Sequence, residues 1–295
     1  MARRFLLALL VVCVPGLACA HVDTHPAHPA VRYGANAAAG RTFVHGGVTL
    51  YYEVYGAGEP LLLVHGNGGS IADLGAQIDH FRKHYRVIAM DSRDQGRSGD
   101  SAGALTYEKM ADDLAALLAH LDVGPADVLG WSDGGIEALL LAIRHPARVK
   151  KIVSMAANLN ASGDAFPPEV AAWLAGYVES ISTAGTAQAE RERKVARIML
   201  DQPDIDPEAL RGITAPTLVM AGDRDLIRDE HTLDIYHHIP NSQLAILPNQ
   251  THLLPFDDPE LFNATVERFL RSNGPDKDRI DDTVRSLEKL RAVSQ

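Results

Sequence analysis

The sequence predicts an α/β fold: a mostly parallel sheet covered by helices on both faces, with a small helical cap inserted over one sheet edge. Three observations predict it. A continuous apolar run at residues 61–64 and short, mainly apolar runs at 86–90, 126–129, 149–155 and 217–221 have the length of strands buried on both faces. Most of these runs lead into a stretch with helical spacing, the rhythm of parallel strands joined by crossover helices. That rhythm breaks once, over about residues 156–215, where two helical stretches follow each other without a strand between them. A chain of 295 residues is long enough for one large domain of this kind with an insertion.

Residues 1–20 read as a secretory signal peptide rather than as part of the fold. Arg3 and Arg4 precede an apolar run, and Ala18-Cys19-Ala20 forms a small-residue cleavage site. The run is too short for a comfortable membrane span. An uncleaved anchor, or a lipoprotein cut before Cys19, fits less well; the latter would place Gly16 where such sites usually carry leucine. The expected location is therefore secreted or periplasmic, with cleavage after Ala20 and no membrane attachment afterwards. Cys13 and Cys19 both lie in the leader, so the mature chain carries no thiol or disulfide. Loss of Arg3 and Arg4 takes the formal charge from −10 to −12, an acidic balance that argues against nucleic acid as a partner.

Residues 21–40, rich in His, Pro, Ala and Gly, read as a flexible linker. His21, His25 and His28 are read there as solvated residues, because nothing nearby fixes a metal geometry. The main domain is expected over residues 41–272. It starts with strands at 42–45 and 48–55 joined by the turn signal Gly46-Gly47. After the 61–64 strand, residues 71–84 have helical spacing, with Ile71, Leu74, Ile78 and Phe81 on one face. Residues 107–121 and 135–143 read as helices. In the cap, Pro167 and Pro168 open a helix whose stripe is Val170, Trp173, Leu174, Tyr177 and Ile181, and a polar helix follows at 187–200. Trp173 and Tyr177 are expected chiefly to bury the cap against the body, with a pocket role as the alternative. Helices at 229–238 and 260–271 flank a last strand at 243–247. The charged tail, 273–295, keeps a narrow apolar stripe of Ile280, Val284, Leu287 and Leu290 and reads as helical.

The chemistry centres on Gly130-Trp131-Ser132-Asp133-Gly134, a G-x-S-x-G between a strand and a helix. Such a turn strains the serine backbone, needs glycine on both sides, and leaves the hydroxyl exposed at the carboxyl edge of the sheet. A serine hydroxyl needs a base, and the base needs a carboxylate to fix its tautomer. The order Ser, acid, His is filled by Ser132, Asp225 and His252, each just after an expected strand. Asp223 is the alternative acid; Asp225 is preferred because it sits further into the loop. His65 reads as a packed, hydrogen-bonded residue of the preceding loop, and His237 and His238 as the end of a helix. For the oxyanion hole, the glycine-rich loop His65-Gly66-Asn67-Gly68-Gly69 offers the Asn67 N–H beside that of Asp133. Asn67, Trp131 and Asp133 are the expected substrate contacts. The Asp133 carboxylate has two readings: a charge favoured by the helix dipole, or an anionic contact for a substrate ammonium group.

Over about residues 42–270 the chain resembles the α/β-hydrolase superfamily. The carrying residues are His65-Gly66-Asn67-Gly68, Asp91-Ser92-Arg93 with Gly96-Arg97-Ser98, the Gly130–Gly135 turn, Gly222-Asp223-Arg224-Asp225 and His252. Gly-Trp-Ser-Asp-Gly-Gly looks most like the valacyclovir hydrolase (biphenyl hydrolase-like) branch and related small esterases and enol-lactonases. The resemblance implies an ammonium contact at Asp133. Asp94 departs from the pattern, which usually has glycine after the arginine. The expected activity is a serine hydrolase acting on small carboxylic esters or lactones through an acyl-enzyme, with no metal or cofactor and a small-molecule substrate as the partner. The alternatives are an amino-acid ester or amide hydrolase and a non-catalytic ligand-binding protein on the same scaffold. The oligomeric state is left open.

Overall fold

The computed structural model describes residues 32–161, 165–181, 185–272 and 279–293. The expected leader, the first part of the linker with its three histidines, and residues 273–278 of the tail lie outside the described residues.

Eight strands form one sheet: β1 (Gly40–His45), β2 (Val48–Tyr55), β3 (Glu59–Val64), β4 (Tyr85–Met90), β5 (Ala126–Trp131), β6 (Val149–Met155), β7 (Thr217–Arg224) and β8 (Ser242–Thr251). Their spatial order is β1-β2-β4-β3-β5-β6-β7-β8. The β1–β2 and β2–β4 pairs are antiparallel, and every pair from β4 onward is parallel. The helices are α1 (Gly75–Phe81), α2 (Tyr107–His120), α3 (Asp133–Arg144), α4 (Pro168–Ser180), α5 (Ala187–Asp201), α6 (Asp229–His238), α7 (Leu254–Asp257), α8 (Pro259–Leu270) and α9 (Arg279–Val293). None of the helices among the described residues is long and apolar enough to cross a membrane.

The apolar runs become strands because helices cover both faces. Leu61 and Leu63 point to one core with Ile78, Phe81, Phe262 and Phe269, whereas Leu62 and Val64 point to the other with Met110, Leu114, Leu139 and Ile235. This is the period-two alternation of a strand whose two faces are both buried. Helix α3 is apolar nearly all round, since it lies between the sheet and α2. Local signals set helix starts. Thr106 caps α2 by accepting from the Lys109 N–H at 3.2 Å, Thr186 caps α5 through the Ala189 N–H at 3.2 Å, and Asp258 caps α8 ahead of Pro259.

Several expectations are corrected. The linker expected to reach residue 40 gives way earlier to packed chain: residues 32–39 form turns held by the buried Glu53 carboxylate. That carboxylate accepts from the Gly34 and Asn36 N–H groups, each at 2.9 Å, and from the Tyr51 and Tyr55 hydroxyls. The helix expected over 71–84 is a 3₁₀ turn at Ile71–Leu74 followed by α1, which stops at Phe81 because a turn from His84 N–H to Phe81 O feeds β4. Strand β8 runs four residues beyond the expected 247, through Pro248. As an edge strand it tolerates the missing donor. Its pairing with β7 slips register between Gly222 and Arg224, where any Cβ on Gly222 would run into the Gln250 carbonyl. In the cap, α4 buries Leu174 and Val178, not Trp173 and Tyr177, which are 59% and 44% exposed.

One buried group at the amino end of the sheet works against the fold at neutral pH. Asp127 on β5 is 3% exposed, and its Oδ1 has no hydrogen-bond partner among the described residues. Burial pushes its carboxyl up to about 6, opposed only partly by Lys150 and Lys151. A pKa raised on folding favours the native state at low pH, and this contribution is lost as pH rises from about 4 through about 6. Asp127→Asn is therefore expected to stabilise the protein on the order of 2 kcal/mol at pH 8 and by about a third of that at pH 4.5. Urea unfolding at both pH values checks this, and an equal change at both would reject it.

Candidate active site

The parallel order of β3 and β5 to β8 brings their carboxyl ends to one edge, and the loops there carry the expected chemistry. Ser132 follows β5 directly, with φ 56° and ψ −121°. That conformation costs a non-glycine residue roughly 1–3 kcal/mol and persists only because the surroundings enforce it. Ser132 N–H donates to Met155 O at 2.8 Å, and Gly135 N–H donates to Ser132 O at 2.8 Å. A Cβ at Gly130 would strike the Gly134 carbonyl, and one at Gly134 would strike that of Val64, so the turn admits no side chain at either place.

His252 lies at the end of β8. Its Nε2 is 3.0 Å from Ser132 Oγ and its Nδ1 2.7 Å from Asp225 Oδ1. Asp225 directly follows β7, its side chain fully buried, and Oδ1 also accepts the Ile227 N–H at 3.0 Å. Of the two candidate acids, Asp225 contacts the imidazole, whereas Asp223 lies within β7 with Arg224 as its ion partner at 4.0 Å. His65 is buried, its Nδ1 at 2.8 Å from Gly66 O and its Nε2 accepting the Ser92 N–H at 3.0 Å, a packed loop residue as expected. Trp131 borders the site but spends its indole N–H on His252 O at 2.7 Å, bracing the histidine loop, with Phe256 edge-on to its ring.

In the loop after β3, Gly68 N–H donates to Gln95 Oε1 at 2.7 Å and Gly69 N–H to Gly66 O at 3.1 Å. The N–H groups of Asn67 and of Asp133, the first residue of α3, have no internal acceptor among the described residues. The Asn67 side chain is fully committed as a donor: Nδ2 bonds Asp133 Oδ2 at 2.9 Å and Val195 O of α5 at 2.8 Å. Asp133 is 4% exposed and lies beside the Tyr107 hydroxyl in the cavity wall. Burial pushes the Asp133 carboxyl up, and the Asn67 amide and the Tyr107 hydroxyl pull partly against that. Four residues on, fully buried Glu137 is pushed well up by burial and by the negative neighbours Asp133 and Asp113. Residue patterns gave no functional role to Tyr107 or Glu137, because their significance comes from partners distant in sequence.

A cavity of about 360 Å³ opens on Ser132 and His252. Its walls are largely apolar: Tyr107, Trp131, Trp173, Tyr177, Met199 and Leu226 are among them. Trp173 and Tyr177 stack with ring centroids 5.7 Å apart and planes at 9°, so they form part of the cavity wall from the cap rather than a buried seam.

The family model for the alpha/beta hydrolase fold matches residues 59–188. This match and the sheet order give the chain the alpha/beta hydrolase fold. Among its relatives is the human (Homo sapiens) serine hydrolase BPHL, 29% identical over 287 residues that span 89% of this chain and 95% of the relative. The 3-oxoadipate enol-lactonase 2 of Acinetobacter baylyi is 28% identical over 256 residues, covering 76% of this chain and 94% of that one. Among solved structures, a thermophilic esterase from Thermogutta terrifontis is similar with a TM-score of 0.66 and 27% identity, over 78% of this chain and 96% of that one.

Proposed function

We propose that this protein is a serine hydrolase of small, uncharged carboxylic esters or lactones. The observation that carries the reading is the unbroken contact path Ser132 Oγ, His252 Nε2, His252 Nδ1, Asp225 Oδ1 at the mouth of a mainly apolar cavity. His252 takes the hydroxyl proton as Ser132 Oγ bonds to the substrate carbonyl carbon. The resulting oxyanion lies by the N–H groups of Asn67 and Asp133. The tetrahedral intermediate collapses, the C–O bond breaks, and the His252 proton passes to the departing alkoxide. Water, deprotonated by the same imidazole, then releases the acid and frees Ser132. Asp225 holds the tautomer in which Nε2 is the acceptor. The relatives named as an esterase and an enol-lactonase support the substrate class.

A second reading, an amino-acid ester or amide hydrolase, is favoured by the place of Asp133 in the cavity wall. Its carboxylate already receives the Asn67 amide, and its burial disfavours the charged form, so the neutral-ester reading takes precedence. The test is turnover of p-nitrophenyl butyrate against a valine ester, with Asp133→Asn beside the unaltered protein. The expected result is a preference for the butyrate ester and a similar fractional loss on both substrates in the variant. A preference for the valine ester, with the variant losing only that activity, would establish the ammonium contact instead. Failure of a serine-reactive phosphonate to label Ser132 would favour a ligand-binding protein.

A further inference from the structure

The cap helix α5 touches the oxyanion loop through one side chain. Asn67 Nδ2 has two hydrogens: one goes to Asp133 on the elbow helix, the other to the Val195 carbonyl of α5. The position of the Asn67 backbone N–H is thus tied at once to the body and to the cap.

Helix α5 is itself locked to the body at the loop after β4. The lock is built on Asp94, a non-glycine residue with φ 61°. Asp94 Oδ1 accepts the Ser101 N–H at 2.7 Å and Lys194 Nζ at 3.1 Å, and Oδ2 accepts the Ser101 hydroxyl at 2.6 Å. Lys194 Nζ also donates to Ser101 O at 2.8 Å. One turn earlier on α5, Arg191 donates to Asp94 O at 2.6 Å, Gly96 O at 3.2 Å and Ser98 O at 2.8 Å, and pairs with Asp100 at 3.3 Å. Lys194 adjoins Val195 in sequence, so the residue that fastens the helix stands next to the carbonyl that holds Asn67. A carboxylate at a left-handed position is maintained against backbone cost where its contacts compensate for it; here they are Ser101 of the same loop and Lys194 of the cap.

We propose that α5 is a working part of the oxyanion hole: Asp94, Arg191 and Lys194 are positioning residues that fix Val195 O, and through the Asn67 side chain they fix the Asn67 N–H. The inference rests on the serine hydrolase reading for its kinetic consequence, and on the geometry alone for its structural one. An N–H aimed at a developing charge loses much of its worth when displaced by a fraction of an ångström. The lock therefore bears on turnover more than on substrate binding.

The experiment compares three variants with the unaltered protein: Asp94→Gly combined with Arg191→Met, Asn67→Ala, and all three changes together. Glycine accepts the positive φ, so the backbone at position 94 is unstrained while the lock loses its carboxylate and the Arg191 bonds, keeping only Lys194 on Ser101. The first readout is hydrogen exchange of the backbone N–H groups in residues 66–69. The second is kcat and KM on p-nitrophenyl butyrate, with the affinity for a trifluoromethyl ketone that forms a tetrahedral adduct. The expected result is faster loop exchange, kcat lower by about tenfold, ketone affinity lower by a similar factor and KM within about twofold. The triple variant should lose little more than either parent, because both sets of changes cut the same link. Asp94→Asn alone keeps one oxygen for the Ser101 N–H and Lys194 but replaces the oxygen that accepts the Ser101 hydroxyl by an NH₂ donor, and it should show a smaller loss of the same kind. Unchanged exchange at 66–69 in the lock variant overturns the proposal whatever the activity. So does a raised KM with kcat intact, which is the signature of a cap that shapes only the substrate cavity. Absence of ester hydrolysis in the unaltered protein would defeat the function reading, and the exchange data alone would then decide the coupling.

Discussion

Ser132→Ala is expected to abolish ester hydrolysis, with turnover falling on the order of 10⁴- to 10⁶-fold while the fold is retained. The size follows from the geometry. Ser132 Oγ is the atom that contacts His252 Nε2 where the mainly apolar cavity opens, so nothing else at that point can form the acyl intermediate. Removing Oγ leaves the two backbone N–H groups in place, and the residual rate of the variant measures what the oxyanion hole and binding supply alone. The fold survives because the elbow is held by backbone contacts, Ser132 N–H to Met155 O and Gly135 N–H to Ser132 O, neither of which uses the hydroxyl. Alanine inherits the φ of 56° without relief, so the melting temperature should move little. Burst kinetics with p-nitrophenyl butyrate and thermal unfolding of the variant provide the check. Residual turnover within tenfold of the unaltered protein would place the chemistry on another group.

Much of this architecture was legible in the sequence because it is local. The runs at 61–64 and 126–129 become β3 and β5 since apolar residues on both sides of a strand can be satisfied only between two helical layers. The elbow was legible for a similar reason: two glycines flanking a serine between strand and helix describe a backbone that few other sequences can follow. What was not legible depends on contacts between distant residues. The Asn67 amide meets Asp133 across 66 positions and Val195 across 128, and no periodicity signals either. The anchoring of residues 32–39 hides inside a β-strand, where Glu53 alternates with Tyr51 and Tyr55 as a buried carboxylate with four donors. Trp173 and Tyr177 misled because a stripe along a helix identifies a face but not what that face meets: the cap buries Leu174 and Val178 and leaves the two aromatic rings stacked in the cavity wall. Asp94 is the reverse case. Its departure from the usual glycine was visible at once, but the lysine that explains it lies 100 residues away.

The acid provides the second large effect, and it separates two carboxylates that the sequence left in competition. Asp225→Asn is expected to lower kcat about 10⁴-fold with little change in KM, and Asp223→Asn to change it less than threefold. Asp225 accepts from His252 Nδ1 at 2.7 Å and from Ile227 N–H at 3.0 Å on the same oxygen, so its orientation is fixed by the chain. An amide at 225 keeps the size and can present its NH₂ to Nδ1, giving up the bond from the Ile227 N–H. Nδ1 then becomes the acceptor, Nε2 carries the proton, and the imidazole can no longer take one from Ser132. The loss is one of tautomer, not of stability, and it distinguishes this role from a merely structural ion pair, whose neutral replacement would leave the rate intact. Asp223, one residue before Arg224, has no contact with the imidazole, and its substitution removes only a long ion pair at 4.0 Å. Comparable losses in the two variants would mean that the loop after β7 rearranges during turnover and that both carboxylates serve His252. A loss confined to Asp223→Asn would reverse the assignment and require the His252 loop to move away from Asp225 before the serine is activated.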